Sequence, residues 1–201
     1  GYHLHDIIHQ LGQVPHGSLA AAATLTALNY LVLTGIDALG LRYVRHPLAY
    51  SKLAVASFIG YVFSNSVTVV GGGAARYRVY STLGVCANEV AELVLFCGLT
   101  FWLGFFTVAG AVFVLEPHSI WQGFPVHLGS IRILGIVFLA ITGAYIVGTG
   151  LRRKPLRIRG WEFRVPPPAI SGGQIAISCA DWLLAACVLY VLLPQAVHTG
   201  F

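Results

Sequence analysis

Arg76 and Arg78 follow three consecutive glycines, Gly71, Gly72 and Gly73, and alternate with the phenols Tyr77 and Tyr80. The stretch is entered through Phe63-Ser64-Asn65-Ser66 and is flanked by runs apolar enough to sit in lipid. An arginine is tolerated at membrane depth only where it faces protein or a water-filled cavity and finds a partner, so charge here marks a functional site. A guanidinium presents a rigid fork of donors that fits a phosphate, which makes a lipid headgroup the first ligand to consider. The glycines let the backbone turn or approach something closely. Non-helical backbone at that depth survives only when it is buried in protein or lines a cavity. The competing reading is a short cytosolic loop whose arginines meet lipid phosphates at the interface.

Four acids are placed to answer these cations. Thr26, Tyr30, Thr34 and Asp37 recur at spacings of four, four and three, which puts them on one helix face that should turn inward. Asp37 then pairs inside the protein, the alternative being a carboxylate that snorkels to the interface. Glu89 and Glu92 lie a turn apart behind Asn88, which can cap a helix starting there. They serve either as acids favoured by the helix dipole or as partners for Arg76 and Arg78. Asp181 shares a face with Gln174 and Ser178 and is deep enough in its apolar run to need a partner. A mixture of signs matches a substrate with both an anionic phosphate and a cationic amine better than a simple anion, and it equally suits buried ion pairs that hold helices together. No nucleophile, base and orienting group assemble into a triad, and there is no phosphate-binding loop of the NTPase type. No intrinsic catalytic site and no cofactor are therefore expected.

These residues need helices that cross a membrane. Of 201 residues, 57% are hydrophobic and only 9% charged, and the mean hydropathy is +0.77. A soluble domain carries about a quarter charged residues, so the composition describes an integral membrane protein. The fold expected is all-α and polytopic, with full spans at 18–41, 86–115, 130–151 and 169–193 and a re-entrant helical hairpin at 53–84. The hairpin follows from charge. A complete crossing after residue 53 would put Arg42, Arg45 and Lys52 on one face and Arg76 and Arg78 on the other, whereas positive charge collects on the cytoplasmic side. Six of the twelve basic residues fall between Arg152 and Arg164, the strongest cytoplasmic signal in the chain. The basic residues sit in a short link rather than on a solvated face, which excludes nucleic acid as a partner.

Residues 1–17 hold His3, His5, His9 and His16 without Lys or Arg and read as a non-cytoplasmic interfacial segment. His5 and His9 share a helix face, but no third ligand is fixed nearby and no metal site is expected. Cys86, Cys97, Cys179 and Cys187 lack short spacings and read as small core residues. The absence of Met and the start at Gly1 suggest part of a longer chain.

Several of these segments resemble a known family. They are Leu28-Asn29-Tyr30 through Asp37-Ala38-Leu39, Ser57-Phe58-Ile59-Gly60-Tyr61, Phe63-Ser64-Asn65, Gly72 through Ser81 with Gly84, and Leu99 through Gly104. Together with Gln174 to Pro194, they are similar to the transmembrane region of the lysylphosphatidylglycerol synthetase/flippase family, the multiple peptide resistance factors. The Gly-x-x-x-Arg-Tyr-Arg-x-Tyr core is the distinctive part. The sequence departs from the family at Ser66-Val67-Thr68, where an asparagine and a nearby glycine are common. The resemblance implies a bacterial inner-membrane domain that moves aminoacylated phosphatidylglycerol between leaflets and so contributes to resistance against cationic antimicrobial peptides. It implies phosphatidylglycerol and its aminoacyl ester as partners, a separate cytosolic synthetase domain with lysyltransferase activity, and Asp37, Arg76 and Asp181 as charged positions on the lipid route. A structural subunit bound to another membrane protein or to a second copy, and the membrane half of an aminoacyl-lipid synthetase, are the alternative functions.

Overall fold

The computed structural model describes residues 15–66, 69–115, 128–151, 156–158, 161–163 and 165–193. Helix α1 spans His16–Tyr43, α2 Tyr50–Ser66, α3 Val69–Thr82, α4 Ala87–Leu115 and α5 Leu128–Leu151. A two-stranded antiparallel ribbon follows, β1 Leu156–Ile158 against β2 Trp161–Phe163, and α6 Pro168–Leu192 ends the described chain. The protein is all-α and polytopic. Among the described residues, four helices, α1, α4, α5 and α6, are long and apolar enough to cross a membrane. Their lengths follow from uninterrupted apolar runs, because about 20 helical residues cover a hydrocarbon core of about 30 Å. Residues 1–14 of the expected interfacial segment, with His3, His5 and His9, most of the 116–129 turn and most of the 152–164 basic link lie outside the described residues, whereas His16 opens α1. The ribbon inside that link is an addition to the expected picture.

Helix α1 packs along α6, and α4 packs between α5 and α6. Small residues let these backbones close up. A Cβ on Gly104 of α4 would stand 2.8 Å from the backbone carbonyl of Ser178 on α6, and one on Gly110 would meet the carbonyl of Gly135 on α5 at 3.0 Å. Lipid offers no hydrophobic drive between helices, so this close packing and polar links supply the association. One link runs across three helices. The Tyr145 hydroxyl donates to Gln174 Oε1, and Gln174 Nε2 donates to Thr100 Oγ1 at 2.8 Å. The inward face expected on α6 is present, with Gln174, Ser178 and Asp181 all buried, and Thr142 and Thr149 of α5 are buried as well. On α1 the face is buried at Thr34 and Asp37 and opens toward Thr26.

Helices α2 and α3 pack against each other as a pair. At about 1.5 Å per residue they are only about 26 Å and 21 Å long. Leu53 and Ala56 at the entry of the pair and Tyr80 and Val85 at its exit share one buried cluster with Leu41 and Val44 of the α1 end and Val90 and Leu93 of the α4 start. Both ends of the pair therefore lie at the same end of the bundle.

Gly71, Gly72 and Gly73 are helical, part of α3, in place of the non-helical backbone that the glycine run suggests. Glycine costs a helix interior only about 1 kcal/mol. Where water is excluded, an unmade backbone hydrogen bond costs more than that, so the helix continues through them. The start of α4 also differs by two residues from the expected Asn88 cap. Helix begins at Ala87, and Glu89 accepts from the Cys86 backbone N–H at 2.9 Å, the carboxylate half of a capping box.

Candidate functional site

Asp37 is fully buried, and four donors converge on its carboxylate. Arg76 Nη1 donates to Oδ1 at 2.8 Å, the Cys97 thiol to the same oxygen at 3.1 Å, and the Tyr80 hydroxyl to Oδ2 at 3.2 Å. The Tyr61 hydroxyl reaches Oδ1 at the longer distance of 3.5 Å. Arg76 is 5% exposed, and its guanidinium carbon stands 4.4 Å from the centroid of the Tyr61 ring, a cation–π contact that a sheltered site strengthens. Four elements thus meet at one ion pair: α1 gives the acid, α3 the base and Tyr80, α2 the aromatic face, and α4 the thiol.

The pair is possible because Gly60 of α2 leaves room for it. A Cβ there would lie 2.7 Å from Arg76 Cγ and 2.9 Å from Nε. Both contacts to α1 and α4 run through Nη1, whereas a guanidinium carries five N–H donors in all. Among the described residues, Asp37 and Cys97 thus leave other N–H groups of Arg76 for further acceptors, a ligand included.

Such a ligand has a place to sit. Arg76 and Tyr61 line a cavity of about 430 Å³ enclosed by α1, the α2–α3 pair, α4 and α6. Asn29 of α1 and Asp181 of α6 form a second polar patch on its wall, with Phe101 and Trp182 beside them. Those two rings are 4.9 Å apart, and the Trp182 indole N–H donates to the Phe101 carbonyl at 3.1 Å. The Asn29 amide lies beside the Asp181 carboxylate, and its Oδ1 atom is buried with no hydrogen-bond donor among the described residues. Measured along α1 from Tyr43, Asp37 lies at about 9 Å and Asn29 at about 21 Å. The cavity thus carries a cation with its counterion at one level and, about 12 Å further along, an unanswered amide oxygen beside a carboxylate.

The structure brings together only some of the residues singled out by type and spacing. Arg76, Tyr80 and Asp37 form the buried cluster, and Asp181 joins the same cavity. Tyr77 and Arg78 are exposed on the opposite face of α3, because a helix turns successive residues about 100° apart and cannot aim 76, 77 and 78 one way. Glu89 bridges to His46 Nδ1 at 3.3 Å and holds the Cys86 N–H, so its partners lie in the α1–α2 link and at the α4 cap rather than on Arg76 or Arg78. Glu92 is half-buried one turn further along α4. Asn65 lies in the last turn of α2, and its side chain is outside the described residues. Gly73 lines the cavity, and a Cβ there would meet nothing within 4 Å.

Asn29, Tyr61, Gly60 and Cys97 belong to the site without having been chosen for their chemistry. Asn29, Gly60 and Tyr61 fall in the segments that carry the resemblance, and the other sequence signal is helical phase. Asn29 precedes Asp37 by eight residues, about two turns, and Gly60 and Tyr61 sit in an otherwise apolar run.

No family model matches the chain. It is similar to the protein slr0712 of Synechocystis, named as uncharacterized, with 39% identity over 91% of this chain and 58% of that protein. It is also similar to the inner membrane protein YbhN of Escherichia coli K12, with 30% identity over 92% of this chain and 58% of that one. Four helices able to span a bilayer accompany this similarity. The chain is a multi-pass inner-membrane protein. It spans a little under three fifths of the length of these two relatives.

Proposed function

We propose that this domain moves a phospholipid headgroup across the inner membrane, and that its substrate is aminoacylated phosphatidylglycerol, of the lysyl-phosphatidylglycerol kind. The observation that carries this reading is the cavity walled by Arg76 at one level and Asp181 at another. In this reading α2 and α3 form a re-entrant hairpin. They enter and leave at the cytoplasmic end, so Arg76 stands inside the bilayer where the headgroup enters. The phosphate approaches the free donors of Arg76, while the acyl tails stay in lipid between helices. Asp37 acts as a positioning residue, since its carboxylate already accepts from Arg76, Tyr80 and Cys97. The resemblance of the Gly-to-Tyr80 core to the multiple peptide resistance factors supports the choice of substrate, and defence against cationic peptides is the expected benefit to the cell.

The test is the outer-leaflet fraction of aminoacylated phosphatidylglycerol in cells making the protein at constant level. Arg76→Ala is expected to reduce that fraction to the background of cells without the protein. A fraction equal to that of the unmutated protein would overturn the reading.

A second reading has an observation of its own. The complete satisfaction of Asp37 also suits an ion pair that only joins α1 to the hairpin, in a subunit that scaffolds another membrane protein. That reading expects Asp37→Arg combined with Arg76→Asp to restore both folding and function. The lipid reading expects folding at most, because the reversed pair aims a carboxylate at the phosphate. A synthetase domain elsewhere in the natural protein would add lipid synthesis to transport, and activity of the full-length protein with aminoacyl-tRNA and phosphatidylglycerol would reveal it.

A further inference from the structure

We infer that Asp181 and the amide oxygen of Asn29 form an acceptor site for a primary ammonium at the far end of the headgroup whose phosphate Arg76 holds. The inference rests on the transport reading above and assigns a role to a part of the cavity that reading leaves open. Among the acids considered from the sequence, Asp37 is saturated by its donors and Glu89 faces His46 and the α4 cap. Asp181 is different. It is 7% exposed, lies near the middle of the 25-residue helix α6, and has no Lys or Arg within salt-bridge distance among the described residues.

Its neighbour compounds the deficit. Asn29 lines the same wall beside Asp181, and its amide oxygen is a buried acceptor without a donor among the described residues. Exchanging the amide's N and O atoms does not help, since a carboxylate beside an amide still presents more acceptors than donors. Buried polar atoms left unpaired are costly, so the patch calls for a donor-rich cation. A primary ammonium has three N–H donors and a full charge, enough to serve the carboxylate and the amide oxygen at once.

Spacing narrows the choice further. The patch is displaced from the Arg76–Asp37 level by about 12 Å along α1. A headgroup that touches both must be extended, with its amine well removed from its phosphate. A lysyl ester meets that requirement through its terminal amine, whereas an amine close to the phosphate does not. The phenol ring of Tyr61 and the ring of Phe101 flank the path between the two levels.

The experiment measures binding by the purified protein in nanodiscs of three short-chain lipids: phosphatidylglycerol, its lysyl ester, and the lysyl ester with the terminal amine acetylated. The unmutated protein is expected to bind the free-amine ester about tenfold or more tightly than the acetylated one, the size expected for charge-assisted hydrogen bonds. Asp181→Asn and, separately, Asn29→Leu are expected to bring that ratio close to one. Arg76→Ala is expected to weaken all three lipids together while keeping the ratio. A ratio that survives in either folded variant of the patch overturns the ammonium site and leaves the transport reading standing. A ratio near one in the unmutated protein, with transport that instead follows pH through Asp181, overturns it in favour of a proton site. Absence of binding by all three lipids to the unmutated protein overturns the transport reading, and this inference with it.

Discussion

Arg76 and Asp37 show why a buried ion pair at membrane depth is informative. Removing one member leaves the other as an uncompensated charge, which costs about 3–5 kcal/mol, whereas replacing both with apolar side chains is often nearly neutral. Arg76→Leu alone is therefore expected to lower the melting temperature in detergent sharply. Adding Asp37→Leu is expected to recover most of that loss. Lipid transport should stay absent in the double variant, because folding needs only the pair's neutrality while the ligand needs its guanidinium. A double variant that transports normally would show that Arg76 touches no substrate. At this scale the sequence was legible where residue type and depth coincide, as at Asp37, Arg76 and Asp181. It was silent at Cys97, whose thiol reads as one more small core group until Asp37 is found 3.1 Å away.

Between residue and bundle stand the helices that hold the side chains in place. Glycines in the same pair of helices have opposite roles there. Gly60 of α2 is in contact with Arg76, and a methyl group at that position would have to displace the arginine stem or the helix. Gly60→Ala is expected to cost about 1–3 kcal/mol, as overpacking does, and to lower transport to the level of the Arg76 variants. Gly73 faces open space in the cavity. Gly73→Ala should raise stability by up to about 1 kcal/mol through helix propensity. Thermal melts of the two variants check both signs at once. The run of three glycines drew attention in the sequence as a possible break, yet Gly73 of that run faces open space, while Gly60 of the partner helix has no room for a side chain. Which glycine is needed depends on what lies across from it, and that is a tertiary fact.

At the scale of the molecule, the proposed re-entrant hairpin makes a statement about sides. Ser51 at the start of α2 and Thr82 at the end of α3 are both exposed, and Cys86 beside the α4 cap is exposed as well. In a protein otherwise stripped of cysteines, Ser51→Cys, Thr82→Cys and native Cys86 are expected to react with an impermeant maleimide from the cytoplasmic face alone. Labelling of Ser51→Cys and Thr82→Cys from opposite faces would turn the hairpin into a single complete crossing and remove Arg76 from the entry side. The four long apolar runs, and hence the all-α polytopic class, were determined by the sequence by itself, because hydrophobic length against bilayer thickness is a local property that needs no partner. The same holds for the inward face of α6, since helical period reads directly from spacing. What the tertiary structure alone decided was pairing. It gave Asp37 to Arg76, gave Glu89 to His46, turned Arg78 outward, and set Asn29 beside Asp181 across the cavity. Composition and period state that a buried charge requires an answer, but the answer comes from another helix. Which one it is depends on how the helices are packed around each other.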